Sequence, residues 1–148
     1  MSKVFGYPEY DEKGEKILTT YDNEYKAMMM DIRVYRMKAG ETRTFLREGE
    51  ETAVLLLSGN ITYKWNGNEA AATRKDVFTE GPWCVHGCTG TEITVVANAE
   101  SQILVQCTKN EKDFGAKSLQ TGRCSVGIFL RRQVRKCCEE KSKHHLRS

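Results

Sequence analysis

Residues 52–67 read TAVLLLSGNITYKWNG, and this stretch decides the fold class of the chain. The apolar run Thr52–Leu57 is too short for a typical helix and favours a buried strand. Ser58-Gly59-Asn60 predicts a turn, because Gly and Asn tolerate positive φ angles. Residues 61–65 then alternate between apolar and polar side chains, and Asn66-Gly67 is a strong signal for a tight hairpin. The stretch therefore predicts two strands and two turns in succession.

The same texture continues on both sides of this stretch. Residues 30–35 alternate with a period of two, which predicts a strand with one buried face; Met30, Ile32 and Val34 alternate there with Asp31, Arg33 and Tyr35. A second strand is predicted at 42–46, and two more at 91–96 and 102–107. Roughly seven or eight short strands with turn residues between them are typical of an all-β sandwich or barrel. No α-helix is predicted before residue 117.

Composition favours a cytoplasmic globular protein. The chain has 148 residues, 29% of them charged and 39% hydrophobic, which is enough for one domain with its own core. Residues 1–6 lack the apolar segment of a secretory signal, and no window holds the 18 apolar residues of a membrane helix. We therefore predict a cytoplasmic location, no membrane contact and reduced thiols at all six cysteines.

Three segments differ in character. We predict an N-terminal arm with one short strand at 1–27, a β domain at 28–116 and a basic tail at 117–148. The tail holds nine Lys or Arg and two Glu, so its net charge is +7. Since the whole chain has a net charge of +3, residues 1–116 have a net charge of −4. Its polarity predicts disorder or a frayed helix. Residues 131–136 are a basic run without interleaved aromatic residues, so we predict a solvated tail and no nucleic-acid partner.

Several phrases, in this order, resemble one enzyme family. They are Ala39-Gly40-Glu41, residues 51–59, Gly81-Pro82-Trp83 and residues 90–95. Over about residues 1–116 the chain resembles the N-terminal half of the 5-deoxy-glucuronate isomerases of inositol catabolism, within the wider KduI/IolB group of bicupins. The resemblance implies a cupin-type jelly roll (a double-stranded β-helix) and an aldose–ketose isomerisation that converts 5-deoxy-glucuronate to 2-deoxy-5-keto-gluconate.

The resemblance can be tested against the metal-binding spacing of cupins. Gly40 and Gly59 fit the first cupin motif, in which the ligand positions then fall on Leu46, Glu48 and Thr52. The second motif would begin at Gly90 and place its histidine at Ile93. Since a divalent metal needs three or four N or O ligands, we predict no catalytic, cofactor-binding or metal-binding residue in this chain. The resemblance implies that enzymes of this family bind a divalent metal in their C-terminal cupin domain.

The sequence of the tail does not resemble the family's linker or second domain. A frameshift or premature stop near Lys117 would explain the lost alternation, the excess of Arg, Lys and Cys, and the early end. This hypothesis predicts a chain that is inactive alone. The alternative is a non-catalytic cupin used as a binding or assembly module, whose exposed cupin face would support a homo-oligomer. A sugar-acid substrate follows only from the family analogy.

Other candidate sites are weaker. Cys84, His86 and Cys88, with Cys107, are a candidate zinc site, but the second ligand pair of a structural zinc site is missing, which favours buried thiols beside one histidine. His144-His145 and Cys137-Cys138 could bind a metal, but a disordered chain end is the favoured interpretation. Glu48, Glu50 and Glu51 could form an acid/base pair, but solvated carboxylates are favoured. Tyr63, Trp65 and Trp83 could line a sugar-stacking surface, but aromatic residues of the core are favoured. Met28, Met29 and Met30 are predicted to lie at a strand edge and to fill the core.

Overall fold

The computed structural model describes residues 8–120. Nine strands and one short 3-10 turn, Lys26–Met28, make up the regular structure of this range, so the all-β prediction is confirmed. None of its helical structure is long and apolar enough to cross a membrane. The strands are β1 (Glu15–Thr19), β2 (Asp31–Met37), β3 (Thr42–Phe45), β4 (Glu50–Trp65), β5 (Asn68–Arg74), β6 (Trp83–Gly87), β7 (Ile93–Ala97), β8 (Ser101–Lys109) and β9 (Ala116–Gln120).

The strands form two sheets that share β4. The first sheet has the order β1-β2-β8-β4-β6-β9, and the second has the order β3-β7-β4-β5. All pairs are antiparallel. The inner faces of the two sheets enclose one apolar core, as expected when each sheet must bury its apolar face against another layer. The architecture is a single β-sandwich of jelly-roll type.

The turn predicted at Ser58-Gly59-Asn60 is wrong, because β4 is continuous from Glu50 to Trp65. The first half of β4 pairs with β6 and β8, and the second half with β5 and β7. A bulge lies between Leu56 and Ser58 in the pairing with β8. Gly59, with φ 111°, follows the bulge. The glycine therefore bends a strand that leaves one sheet and enters the other, which is a common use of bulges and glycines in strands.

The hairpin predicted at Asn66-Gly67 is confirmed. It joins β4 to β5, with Trp65 opposite Asn68. Both turn residues have positive φ angles, 44° at Asn66 and 74° at Gly67. Two consecutive positive φ angles belong to the type I′ turn, whose twist matches that of the flanking strands.

The strand predicted at 30–35 is confirmed as β2, and the structure shows which of its two faces is buried. Tyr35 and Met37, not Met30 and Ile32, point into the core. The pairing with β8 sets this choice, because it places Tyr35 opposite the core residue Ile103. The ring of Phe45 also packs on Tyr35, with centroids 5.3 Å apart. Val34 is buried as well, but it lies outside the core cluster and on the other face of the sheet.

Two further expectations near the ends of the domain are corrected. Met28 and Met29 are neither strand edge nor core, since they lie in and after the 3-10 turn and are 55% and 74% exposed. At the other end, β9 runs from Ala116 to Gln120 and pairs with β6, so residues 117–120 belong to the sheet rather than to a tail. The short strand predicted in the N-terminal arm is confirmed as β1. The rest of the tail lies outside the described residues.

Candidate functional site

The space between the two sheets is filled by large apolar side chains. Leu56, Ile61, Ile93 and Ile103 are fully buried there, together with Met37, Val54, Val85 and Val95. Tyr63 is also buried, and its hydroxyl donates to the backbone carbonyls of Val54 at 3.1 Å and Trp83 at 3.2 Å. Tyr63, Trp65 and Trp83 therefore fill or flank the core, which confirms their interpretation as core aromatics.

The positions that a cupin would use for metal binding do not fit a divalent cation here. Leu46 is half exposed and Ile93 is fully buried, and neither side chain carries a donor atom. Thr52 is buried, with its hydroxyl 3.6 Å from the sulfur of Cys107. Glu48 is exposed and is the one carboxylate of the set. Within residues 8–120, no three His, Cys, Asp or Glu side chains lie close enough together to hold a metal ion.

The candidate zinc ligands Cys84, His86 and Cys88 diverge. His86 lies 3.7 Å from a carboxylate oxygen of Glu51, and its ring packs on Phe114 with centroids 5.0 Å apart. Cys88 lies beyond the end of β6 and its sulfur donates to Asp113 at 3.2 Å. Cys84 is two residues before His86 on the strand and has neither of these partners.

The thiols of the first sheet are held in their protonated form. Burial raises the pKa of Cys84 to about 11, although a backbone hydrogen bond from Val54 partly opposes the shift. Burial likewise raises the pKa of Cys107, against a hydrogen bond with Thr52 and the charge of Arg47. Because the thiolate is the nucleophile and the metal ligand, this burial makes both cysteines less reactive and poorer metal ligands.

The members of the acidic cluster Glu48, Glu50 and Glu51 are separated: Glu48 precedes β4, and Glu50 and Glu51 are successive residues of β4, so their side chains point to opposite faces. A carboxylate oxygen of Glu50 lies 3.7 Å from Arg47. Glu51 instead accepts a hydrogen bond of 2.8 Å from the side chain of Asn110. The three carboxylates therefore do not converge into an acid/base pair.

A polar network that the sequence analysis missed lies where β1 meets β2. Asp31 is 6% exposed at its side chain, and both of its oxygens accept hydrogen bonds from Arg33, at 2.7 Å and 2.9 Å. Arg33 also donates to Glu15 at 2.7 Å, and Tyr35 donates to the same oxygen at 3.1 Å. The bonds to Asp31 come first among the causes that raise the pKa of Arg33 above its usual value. Burial, followed by the charge of Glu15, raises the pKa of Tyr35 to about 12.

The network extends towards the start of β4 through a looser set of contacts. The guanidinium of Arg47 is 3.7 Å from both Asp31 and Glu50, and the side chain is 37% exposed. The hydroxyl of Tyr21 donates to the backbone carbonyl of Cys107 at 3.4 Å. Burial, followed by the nearby carboxylate of Glu50, raises the pKa of Tyr21 above its usual value. These two contacts of Arg47 are longer than the hydrogen bonds of 2.7 Å and 2.9 Å that Arg33 makes to Asp31.

One sequence signal could have revealed part of this network. Asp31 and Arg33 are two residues apart on a predicted strand, so they lie on one face and can pair. Their partner Glu15 could not be foreseen, because its position depends on the register of β1 against β2.

A second missed residue is Arg74, which is 6% exposed and donates to the backbone carbonyls of Leu56 and Glu80. The tail residues named as candidates, Cys137-Cys138, His144-His145 and 131–136, lie outside the described range.

Solved structures resemble this fold at low sequence identity. An IolB-like protein from Salmonella typhimurium LT2 matches with a TM-score of 0.61 and 16% identity, over 74% of this chain and 43% of that chain. The protein YlbA from E. coli matches with a TM-score of 0.58 and 19% identity, over 79% of this chain and 49% of that chain. A cupin superfamily protein from Desulfitobacterium hafniense DCB-2 matches with a TM-score of 0.50 and 13% identity, over 70% of this chain and 82% of that chain. These likenesses establish a cupin fold, and this chain spans less than half the length of the first two proteins.

Sequence comparison is more specific about the family. No curated protein matches the chain. The model of the KduI/IolB family, however, matches residues 6–146. The match includes most of the segment 117–148, which we expected to fall outside the resemblance. On this evidence, the chain belongs to the KduI/IolB family.

Proposed function

We propose that this chain is a non-catalytic cupin of a sugar-acid isomerase, corresponding to the N-terminal half of a 5-deoxy-glucuronate isomerase. The full enzyme would interconvert an aldose and a ketose by moving a proton between C1 and C2 of the deoxy uronic acid. Membership of the KduI/IolB family supports the reaction class. The lengths support the half-chain assignment, since this chain covers 43% of the IolB-like protein and 49% of YlbA.

One observation carries the non-catalytic part of the proposal. Three of the four positions at which a cupin would bind its metal hold Leu46, Thr52 and Ile93, and Ile93 is packed into the core. Such an isomerisation needs a group that polarises the substrate oxygens and a base that moves the proton. Glu48 alone cannot supply both, so the chemistry is assigned to a second cupin outside this chain.

Turnover assays test this assignment. The purified chain, loaded with Zn²⁺, Mn²⁺ or Fe²⁺ and free of host isomerase, is incubated with 5-deoxy-glucuronate, and product is followed by NMR. A full-length two-cupin isomerase, loaded in the same way, is the positive control. We expect no turnover by this chain above the metal-only blank. Metal-dependent conversion at a rate near that of the full-length enzyme would overturn the proposal.

A second candidate function, assembly with another cupin domain, is favoured by the outer face of the first sheet. Five apolar side chains lie side by side across five strands of that face, and we call them the apolar row: Val34, Leu104, Leu55, Cys84 and Leu119. Solvent-facing rows of a sheet are usually polar, so a continuous apolar row indicates a face that is covered. This role is compatible with the first proposal.

A further inference from the structure

The hairpin between β4 and β5 carries an Asn-Gly pair at its tip. Asn66 and Gly67 are both exposed, and their φ angles are 44° and 74°. Trp65 and Asn68 are paired on either side of them, so the loop consists of these two residues alone. The proposed isomerase function makes no use of this loop. An asparagine side chain can react with the backbone nitrogen that follows it, and glycine at the following position offers no side chain to obstruct that approach.

The two groups that would react are the side-chain amide of Asn66 and the backbone N–H of Gly67. Among the hydrogen bonds of residues 8–120, neither group has a partner; Asn66 instead accepts a bond of 3.3 Å at its backbone carbonyl, from the side chain of Asn68. A Cβ atom built on Gly67 would have nothing within 4 Å of it, so the tip is open. Neither group therefore has to break a hydrogen bond in order to react.

The other asparagines of residues 8–120 provide an internal comparison. Each of the five has a side chain that is hydrogen bonded and a following residue that is not glycine. For example, Asn98 donates to Asn60 at 2.8 Å, and β-branched Ile61 follows Asn60. The five pairs are Asn23-Glu24, Asn60-Ile61, Asn68-Glu69, Asn98-Ala99 and Asn110-Glu111.

We propose that Asn66 is a site of spontaneous deamidation. The backbone nitrogen of Gly67 attacks Cγ of Asn66 and loses its proton, the side-chain nitrogen leaves as ammonia, and a succinimide ring remains. Water then adds to one of the two ring carbonyls and opens the ring. Addition at the side-chain carbon gives aspartate, and addition at the backbone carbon gives isoaspartate. Water is the one co-reactant, and either product adds a negative charge to the tip of the hairpin.

The two products differ in their effect on the hairpin. Aspartate leaves the main chain as it was, and Asp-Gly favours the same type I′ turn as Asn-Gly. Isoaspartate lengthens the main chain by one carbon atom within a two-residue loop, where loop length and turn type set the strand register. That register places Trp65 in the core and Lys64 outside it. Isoaspartate should therefore strain the pairing of Trp65 with Asn68, whereas aspartate should not.

Peptide mapping of the full-length protein by mass spectrometry is the first test. The protein is aged in neutral and in mildly alkaline buffer, both folded and in urea, and deamidation is followed at every asparagine. In the folded protein we expect Asn66 to deamidate about ten-fold faster than any other asparagine, because glycine follows it alone. The rate should rise with pH, since the attacking amide must lose its proton. An Asn66 that stays intact in the folded protein and reacts in urea alone would overturn the proposal, and so would a faster reaction at another asparagine.

Gly67→Asp tests the role of the absent side chain. Aspartate tolerates a positive φ angle better than most residues, and nothing lies near a Cβ atom at this position, so the variant should keep the hairpin. The new side chain crowds the attacking nitrogen, and we expect deamidation at Asn66 to slow about ten-fold. Gly40→Asp is the matched control, since Gly40 also has a positive φ angle and open surroundings, and it should leave the rate at Asn66 unchanged. An unchanged rate in folded Gly67→Asp would overturn the mechanism.

Urea unfolding of the two products tests the effect on the hairpin. The isoaspartate form is separated from the aged protein by ion-exchange chromatography, and Asn66→Asp supplies the aspartate form. We expect the isoaspartate form to unfold at a lower urea concentration than wild type, and Asn66→Asp to unfold at the wild-type midpoint. Equal midpoints for the two forms would overturn the predicted strain between Trp65 and Asn68.

Discussion

Gly59 lies directly against Ser101, and a Cβ atom on the glycine would overlap both the side chain and the Cα of that serine. The contact sits where β4 leaves the first sheet and enters the second. Ser101 is buried here, and its hydroxyl accepts a hydrogen bond of 3.0 Å from the backbone N–H of Asn60. Two residues therefore fix the position where β4 crosses between the sheets: Gly59, which leaves room for Ser101, and Ser101, which accepts a hydrogen bond from Asn60.

The first prediction is that Gly59→Ala destabilises the fold by about 2 to 4 kcal/mol. Roughly 1 to 2 kcal/mol comes from placing an L-residue at φ 111°, and the remainder comes from overlap with Ser101. Equilibrium unfolding in urea measures the change. The midpoint should fall while the m-value stays constant.

Gly40→Ala is the matched control for this prediction. Gly40 has a positive φ of 83°, yet nothing lies within 4 Å of a Cβ built on it. It should lose only the backbone contribution, about 1 to 2 kcal/mol. Equal losses in the two variants would show that the contact with Ser101 does not constrain the crossing.

The second prediction concerns Asp31. Asp31→Ala removes both acceptors of Arg33 and leaves that guanidinium with Glu15 alone. We expect a loss of about 1.5 to 3 kcal/mol in the free energy of unfolding, the range for a hydrogen bond to a charged partner in a mostly buried site. A surface pair, Lys64 and Glu69, serves as control, and Glu69→Ala should change stability by under about 0.5 kcal/mol.

Local pattern was enough to predict many strands of this fold, but it did not predict β9 or how the strands are combined. The run at 52–57, the alternation at 61–65 and the Asn66-Gly67 hairpin all mark real elements. Gly59, however, signals a turn when only its neighbours are considered. In the structure it is a bend inside one long strand, because the two halves of β4 find partners in different sheets. Those partners are distant in sequence, so no local window contains the information.

The same reasoning explains the remaining differences. The alternation at 30–35 is correct in period, but β8 decides which face of β2 is buried, and it selects Tyr35 over Ile32. For the candidate site, the types of residue at the cupin positions could be taken from the sequence. The network of Asp31, Arg33 and Glu15 could not, since its third member arrives through the pairing of β1 with β2.

The third prediction is a loss of stability at alkaline pH that follows tyrosine ionisation. Burial is the first cause that raises the pKa of Tyr21, Tyr25, Tyr35 and Tyr63, and it brings Tyr35 to about 12. The unfolded phenols ionise near pH 10, so above that pH the unfolded chain binds fewer protons than the native chain. The stabilisation is therefore complete below about pH 10 and is lost as pH rises towards the folded values.

Ultraviolet absorbance of tyrosinate measures this titration in the folded protein and in denaturant. The chain has six tyrosines, and the folded titration should be spread to higher pH than the unfolded one. Tyr35→Phe should remove one step near pH 12 and leave the others in place. A folded protein whose six phenols all ionise together near pH 10 would contradict the burial argument.

The last prediction tests Arg74, the buried cation at the bulge of β4. Its guanidinium donates to the carbonyl of Leu56 at 2.7 Å, next to the position where the pairing with β8 shifts, and to the carbonyl of Glu80. Arg74→Met keeps much of the apolar stem but leaves these acceptors without that donor, so we expect a loss of about 1 to 3 kcal/mol. Arg36→Met, at an exposed arginine stacked on Tyr10, should lose about 0.5 to 1 kcal/mol. Thermal and urea unfolding measure both variants, and an Arg74→Met protein as stable as wild type would show that the bulge carbonyls do not need that donor.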